Sequence, residues 1–159
     1  MDKKLKELLE ESIKLERNIS RMYLLFSELF EQDSGFWWKL HNEENNHAAL
    51  LRSVLDVFVP FNQYPEKMIC DSLEELQAAN KYIEDIHTKF KDNHPDRDEA
   101  FRTAMEIESS AGELHFQDFM KSTSDNGIDE IFRKLNSDDI DHYNRIKFYW
   151  NKGNRPKVS

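Results

Sequence analysis

The stretch Leu40–Leu51 reads LHNEENNHAALL, and it decides how the rest of the chain is read. Apolar residues on either side of it keep helical time: Trp37 and Leu40 before, then Leu51, Val54 and Phe58. Positions three and four apart share one helix face. The same face runs through Glu44 and His47, so an apolar seam carries a carboxylate and an imidazole at its centre.

The pattern recurs along the chain. Upstream, Leu5, Leu9, Ser12, Glu16, Ile19, Tyr23, Phe26 and Phe30 form one seam. Downstream, Phe101, Ala104, Glu108, Ala111 and His115 form another, continued by Phe116 and Phe119. Phe132, Leu135, Asp139, His142, Ile146 and Tyr149 form the last. Each of the four seams holds an acidic residue, and two add a histidine three residues later.

Breakers between the seams predict the elements. A first helix spans about 2–31 and stops near Gln32-Asp33-Ser34-Gly35. A second begins near Ser34, a candidate N-cap, and ends before Pro60. Residues 60–71 carry two prolines and little periodicity and read as a connection. Ser72-Leu73-Glu74-Glu75 is a capping box that opens a shorter helix to about Asn93. A third long helix spans about 96–121 and a fourth about 128–150. Two long helices, a long connection containing a short helix, and two more long helices predict an all-α antiparallel four-helix bundle with one crossover, the topology of ferritin-like folds. The bundle is expected over residues 1–151, with a tail over 152–159.

Bulk properties agree. The 159 residues include only four Gly and four Pro, and 33% are charged, a composition suited to long helices in one domain. Mean hydropathy is −0.81, but periodic apolar residues argue against disorder. A net charge of −9 disfavours nucleic acid or an anionic membrane as partner. The single cysteine, Cys70, supplies no disulfide or Cys-x-x-Cys pair. Neither a signal-peptide pattern nor an apolar run of roughly 18 residues is visible, so a cytoplasmic location is expected.

Acid-x-x-His occurs three times: Glu44/His47, Asp139/His142 and Glu84/His87. The third is a useful control. Its helix has the apolar line Leu76, Ala79, Ile83, Ile86 and Phe90, and Glu84 falls off that line, so the pair reads as surface. The other two lie on their seams, where each could hold one ion, with Glu16 and Glu108 completing a pair of sites. Four carboxylates balance two divalent cations. Without metal, ionised carboxylates in a low dielectric cost several kcal/mol each or take up protons. Oxygen and imidazole donors suit iron or manganese and also accept zinc. Glu43, Asp138 and Asp141 read as solvated faces or outer partners of the site.

With Glu on the first helix, Glu-x-x-His on the second, Glu on the third and acid-x-x-His on the fourth, the chain resembles the ferritin-like di-iron carboxylate superfamily, most closely its rubrerythrin-related branch. Glu16-Arg-Asn-Ile-Ser-Arg-Met-Tyr23 and the segment WWKLHNEENNHA (37–48) resemble that family's first two helix signatures. The resemblance implies that Glu44 and Asp139 bridge two irons. It makes Glu16 and Glu108 terminal ligands, puts His47 and His142 on separate ions, and makes Tyr23 a hydrogen-bond donor to a ligand carboxylate. It implies a redox enzyme of peroxidase or ferroxidase type that reacts with peroxide or dioxygen and draws electrons from an external donor protein, and it leaves a homodimer open.

The chain also departs from the family. Asp139 replaces a Glu, Ala111 stands where rubrerythrins carry a further Glu ligand, and a rubredoxin-like Cys₄ domain is absent from this sequence. Asn45 stands where bacterioferritins place a haem-ligating Met, so no haem is expected. His115 reads either as an outer partner of the site or as a core histidine. Iron storage without a catalytic cycle and a helical partner-binding module with a vestigial site are the alternative readings.

Overall fold

In the computed structural model, residues 2–64, 67, 69–110, 118–121, 127–135 and 141–153 are described. All regular structure among them is helical. The helices are α1 (Lys3–Leu29), α2 (Ser34–Ser53), α3 (Leu73–Asp92), α4 (Arg97–Glu108), α5 (Gly127–Leu135) and α6 (His142–Gly153). No helix among the described residues is long and apolar enough to cross a membrane.

The caps follow from sequence. Asp2, Ser72 and Asp96 each accept a hydrogen bond from a backbone N–H in the first turn of α1, α3 and α4, satisfying donors that helix geometry leaves without a partner. Ser34 behaves differently from expectation, because it is the first residue of α2 and Asp33 precedes it. Asp33 has no capping bond. Its carboxylate instead takes Arg97 Nε at 2.7 Å and Tyr149 Oη at 3.1 Å. At the other end of α2 the chain widens into a π-helical turn, Val54–Phe58, in which Val59 N–H reaches back to Val54 O. Pro60 has no N–H to continue the α-helical ladder.

Side-chain pairs give the directions. Tyr23 stacks on Trp37, Ser20 bonds His41, and Glu16 meets His47. Residue numbers rise on one helix as they fall on the other, so α1 and α2 are antiparallel. Asn80 meets Glu11, Glu84 meets Lys14, and Phe90 meets Phe26, so α3 runs parallel to α1. Tyr82–Glu106 and Lys89–Glu99 make α4 antiparallel to α3, and hence parallel to α2. Trp150–Asp98 and His142–Glu108 set α6 antiparallel to α4. The connection between the two parallel helices thus contains α3, which at 20 residues is as long as α2 and exceeds α4.

Two expected helices are shorter. The third ends at Glu108 rather than near Lys121; residues 118–121 are helical again. Ser109 and Ser110 donate their N–H groups to Glu106 O and Ile107 O, the tighter i→i+3 spacing that closes a helix. Ser109 Oγ also bonds back to Met105 O, competing with the ladder. The fourth helix is interrupted, because Asp141 adopts φ 68°. That left-handed geometry cannot continue an α-helix, and aspartate tolerates it better than most residues. The run Asn136-Ser137-Asp138-Asp139-Ile140-Asp141 is rich in turn formers and signals such a break.

The seams are otherwise where periodicity put them. Leu9, Ile19, Phe26, Trp37, Leu40, Val54, Phe101, Ala104 and Ile146 are buried in one core. Trp37 lies within 5.6 Å of the rings of Tyr23, Phe26, Phe36 and Phe101. Packing of this density closes one end of the polar cluster described next.

Candidate metal centre

Four helices contribute to one buried polar cluster. Glu16 comes from the middle of α1 and Glu44 and His47 from the middle of α2. Glu108 is the last residue of α4, and His142 is the first of α6. All five are at most 5% exposed. The local reason is the seam: each sits one or two turns from core residues on its own helix, so packing those residues carries the charged group inward.

The cluster divides into two groups that share a member. Glu16, Glu44 and His47 each offer a ligand atom, and these lie within 4.8 Å of one another; Glu44, Glu108 and His142 do the same. The two oxygens of Glu44 face opposite ways. Oε2 is 3.2 Å from His47 Nδ1, and Oε1 is 2.6 Å from His142 Nδ1. Glu16 Oε2 lies 3.4 Å from the first imidazole and Glu108 Oε1 3.6 Å from the second. The two rings are nearly parallel, with centroids 5.5 Å apart.

Hydrogen bonding leaves this cluster incomplete. Glu16 Oε2, Glu44 Oε1, Glu108 Oε2 and both ring nitrogens of His142 are buried without an aligned hydrogen-bond partner. The 2.6 Å approach of His142 to Glu44 is therefore an ion-pair contact off the N–H axis. Buried polar atoms are ordinarily paired, so unpaired atoms from separate helices converging on one place need an explanation. Oxygen and imidazole donors in sets of three fit a divalent cation of the iron, manganese or zinc type. The residues present therefore fit a metal.

The electrostatics show what these groups do without one. Burial and the neighbouring Glu44 push Glu16 up to about 7, against the pull of His47. Burial acts to lower His47, but bonds and charge from Glu16 and Glu44 outweigh it and raise it to about 10. Burial likewise works against the charged form of His142, yet Glu44, Glu108 and Glu43 raise it well above the ordinary imidazole range. Burial would raise Glu44, but the charge on His142 and bonds to both histidines hold it well below the carboxylate range. Protons on imidazole thus stand where metal charge would otherwise stand.

Around this cluster lie partners of two kinds. Tyr23, fully buried, donates its hydroxyl to Glu108 Oε1 across the α1–α4 contact. Tyr23 thus reaches one of the carboxylates of the cluster. Glu43 is buried rather than solvated. Its Oε2 is 3.1 Å from His142 Nε2, and Arg145 grips both its oxygens at 2.8 and 3.2 Å. Sequence reading passed over Arg145, although its position three residues after His142 places it on the same helix face.

The remaining sequence assignments fall as follows. Glu84 and His87 lie outside the cluster; Glu84 is exposed and bonds Lys14 and Asn18. Asp139 and His115 lie outside the described residues, as do Ala111 and Asp138. The described part of α6 opens at His142. Asp141 is half-buried at that break and accepts from the Asn144 side chain.

No known family model matches the chain, and neither a curated protein nor a solved structure matches it. What the fold and the site define is an all-helical protein with a carboxylate–histidine cluster that could hold metal.

Proposed function

We propose that this chain is a ferritin-like, rubrerythrin-related di-iron protein that reacts with peroxide or dioxygen, as a peroxidase or ferroxidase that removes oxidant. The observation that carries this reading is the position of Glu44. One carboxylate serves two donor groups, and each group is completed by one histidine and one further carboxylate from another helix.

In this reading Glu16, Glu44 and His47 would hold one ion, and Glu44, Glu108 and His142 would hold the other, with Asp139 added by the family resemblance alone. A pair of redox-active ions, when bound, would supply the two electrons that peroxide reduction needs. The chain's own residues set the conditions. The Trp37–Phe101 wall closes one end of the cluster with apolar side chains, which lowers the dielectric on that side. Tyr23 holds Glu108 in one orientation by donating to it. An external donor protein would return the electrons.

The test is anaerobic titration of metal-free protein with Fe(II), followed by addition of peroxide. Two irons per chain with a fast absorbance change on peroxide, and one or none in Glu44→Ala, are expected. Two irons that react only slowly would favour iron handling without turnover. No iron bound would sink the metal assignment.

One observation favours a second reading, a helical protein with a vestigial site. The raised His47 and His142 together with Arg145 offset the charge of Glu43, Glu44 and Glu108 without any metal. That reading predicts that a chelator leaves the stability of the purified protein unchanged.

A further inference from the structure

The two donor groups are built differently, and the difference has a functional consequence that rests on the metal reading above. Glu16, Glu44 and His47 all sit mid-helix on α1 and α2. Those helices are joined only by the short turn Glu31–Asp33, so this group is local to one hairpin. Glu108 and His142 sit at the two ends where α4 stops and α6 starts. Helix ends lack part of their hydrogen-bond ladder and open more readily than helix middles. Something else must therefore hold the second group in place.

The clamp is visible. Arg145, one turn into α6, takes both oxygens of Glu43, a residue of α2 that is 102 positions away in the chain. Glu43 Oε2 in turn lies 3.1 Å from His142 Nε2, the ring nitrogen that faces away from Glu44, as an ion-pair contact without an aligned hydrogen bond. Bidentate guanidinium–carboxylate pairing fixes orientation as well as charge. A carboxylate behind a ligand imidazole sets which nitrogen carries the proton and where the other points.

We infer that the two positions load in order, the Glu16/Glu44/His47 position first, and that Glu43 and Arg145 are positioning residues that set the affinity of the Glu44/Glu108/His142 position alone. Glu43 touches no proposed ion. It acts by holding the His142 ring with Nδ1 toward Glu44, and Arg145 acts by holding Glu43.

Anaerobic Co(II) titration of the full chain tests this, because visible cobalt bands count ions and report their coordination. Wild-type protein is expected to take two Co(II) in distinguishable steps. Glu43→Ala and Arg145→Ala should leave the tighter step unchanged and weaken the other by about 10- to 100-fold, with altered bands for the second ion only. Glu43→Gln keeps an oxygen beside Nε2 and a partner for Arg145 but removes the charge, and should recover part of the loss. Equal weakening of both steps, or of neither, in the Glu43 and Arg145 variants would overturn the inference while leaving the metal reading intact. If Glu43→Ala does not fold, Glu43→Gln decides alone: a loss confined to the second step supports the inference, and no loss overturns it. Wild-type protein that takes no Co(II) would bring down the metal reading and this inference together.

Discussion

Tyr23 on α1 donates its hydroxyl to Glu108, the last residue of α4, and stacks its ring on Trp37 of α2. One side chain thus joins three helices at the border between apolar core and polar cluster. Its two ends act differently. The ring contributes packing, and the hydroxyl satisfies an oxygen that would otherwise be buried bare.

Tyr23→Phe separates them. The ring and its stacking stay, and Glu108 loses a donor. A hydrogen bond to a charged group contributes about 1.5–3 kcal/mol, so metal-free protein should lose about that much in urea unfolding. Metal at the Glu108 position should also bind more weakly. An unchanged midpoint would mean that Glu108 finds another donor in the variant.

The metal-free protein should lose stability as pH rises. Glu16 and His47 both have folded-state values above their ordinary ones, about 7 against 4.5 and about 10 against 6.5. The folded state therefore holds their protons more tightly than the unfolded chain does. The Glu16 contribution is complete below pH 4.5 and is lost on the way to about 7. The His47 contribution is complete below 6.5 and is lost on the way to about 10, and His142 has the same sign. Glu43 and Glu44 are lowered and act oppositely, losing their contribution as the solution becomes acid. Urea midpoints in chelator should fall between pH 6 and pH 10, whereas metal affinity should rise over the same interval, because ligand protons must leave. A chelated protein more stable at pH 9 than at pH 6 would contradict the protonated imidazoles.

Glu84→Ala combined with His87→Ala is the negative control. This pair has the same spacing as Glu44/His47 but sits at the exposed edge of the α1–α3 contact, where Glu84 bonds Lys14 and Asn18. Metal stoichiometry measured by elemental analysis should be unchanged. A loss of bound metal would place a ligand where none is proposed.

Asp141→Val tests the helix break. A β-branched side chain in a left-handed conformation costs about 1–2 kcal/mol, and Asp141 stands directly before His142 at φ 68°. The variant should be destabilised by that order in urea and should bind less metal at the Glu44/Glu108/His142 position. Asp141→Gly, free of the steric penalty, should keep metal binding near wild type. Equal behaviour of the two variants would show that backbone geometry here is not what positions His142.

Much of the site is legible in the chain because helical period is a local property. Glu16, Glu44, His47 and Glu108 fall on apolar seams, and the seam alone carries them inward when the apolar residues pack. The same reasoning sets Glu84/His87 aside, since Glu84 leaves its line. Periodicity says nothing, however, about where a helix stops when the apolar pattern continues past the stop. Helix ends are settled by competition between the backbone ladder and local side-chain bonds, as at Ser109 and Asp141, and turn-forming residues near them give only a hint.

Partners across the chain are the other thing that folding decides. Asp33, a candidate helix-stop residue in the sequence, spends its carboxylate on Arg97 and Tyr149. Glu43, next to Glu44 but off the seam, is buried because Arg145 arrives from α6 to meet it. A buried charge is stable only with its counter-charge in place, and which counter-charge that is depends on the packing of helices far apart in sequence. The sequence alone determined which residues point inward and what chemistry they carry. The tertiary structure decided which of them meet, that Glu44 is the one shared between two groups, and that one group is built mid-helix while the other is assembled from helix ends.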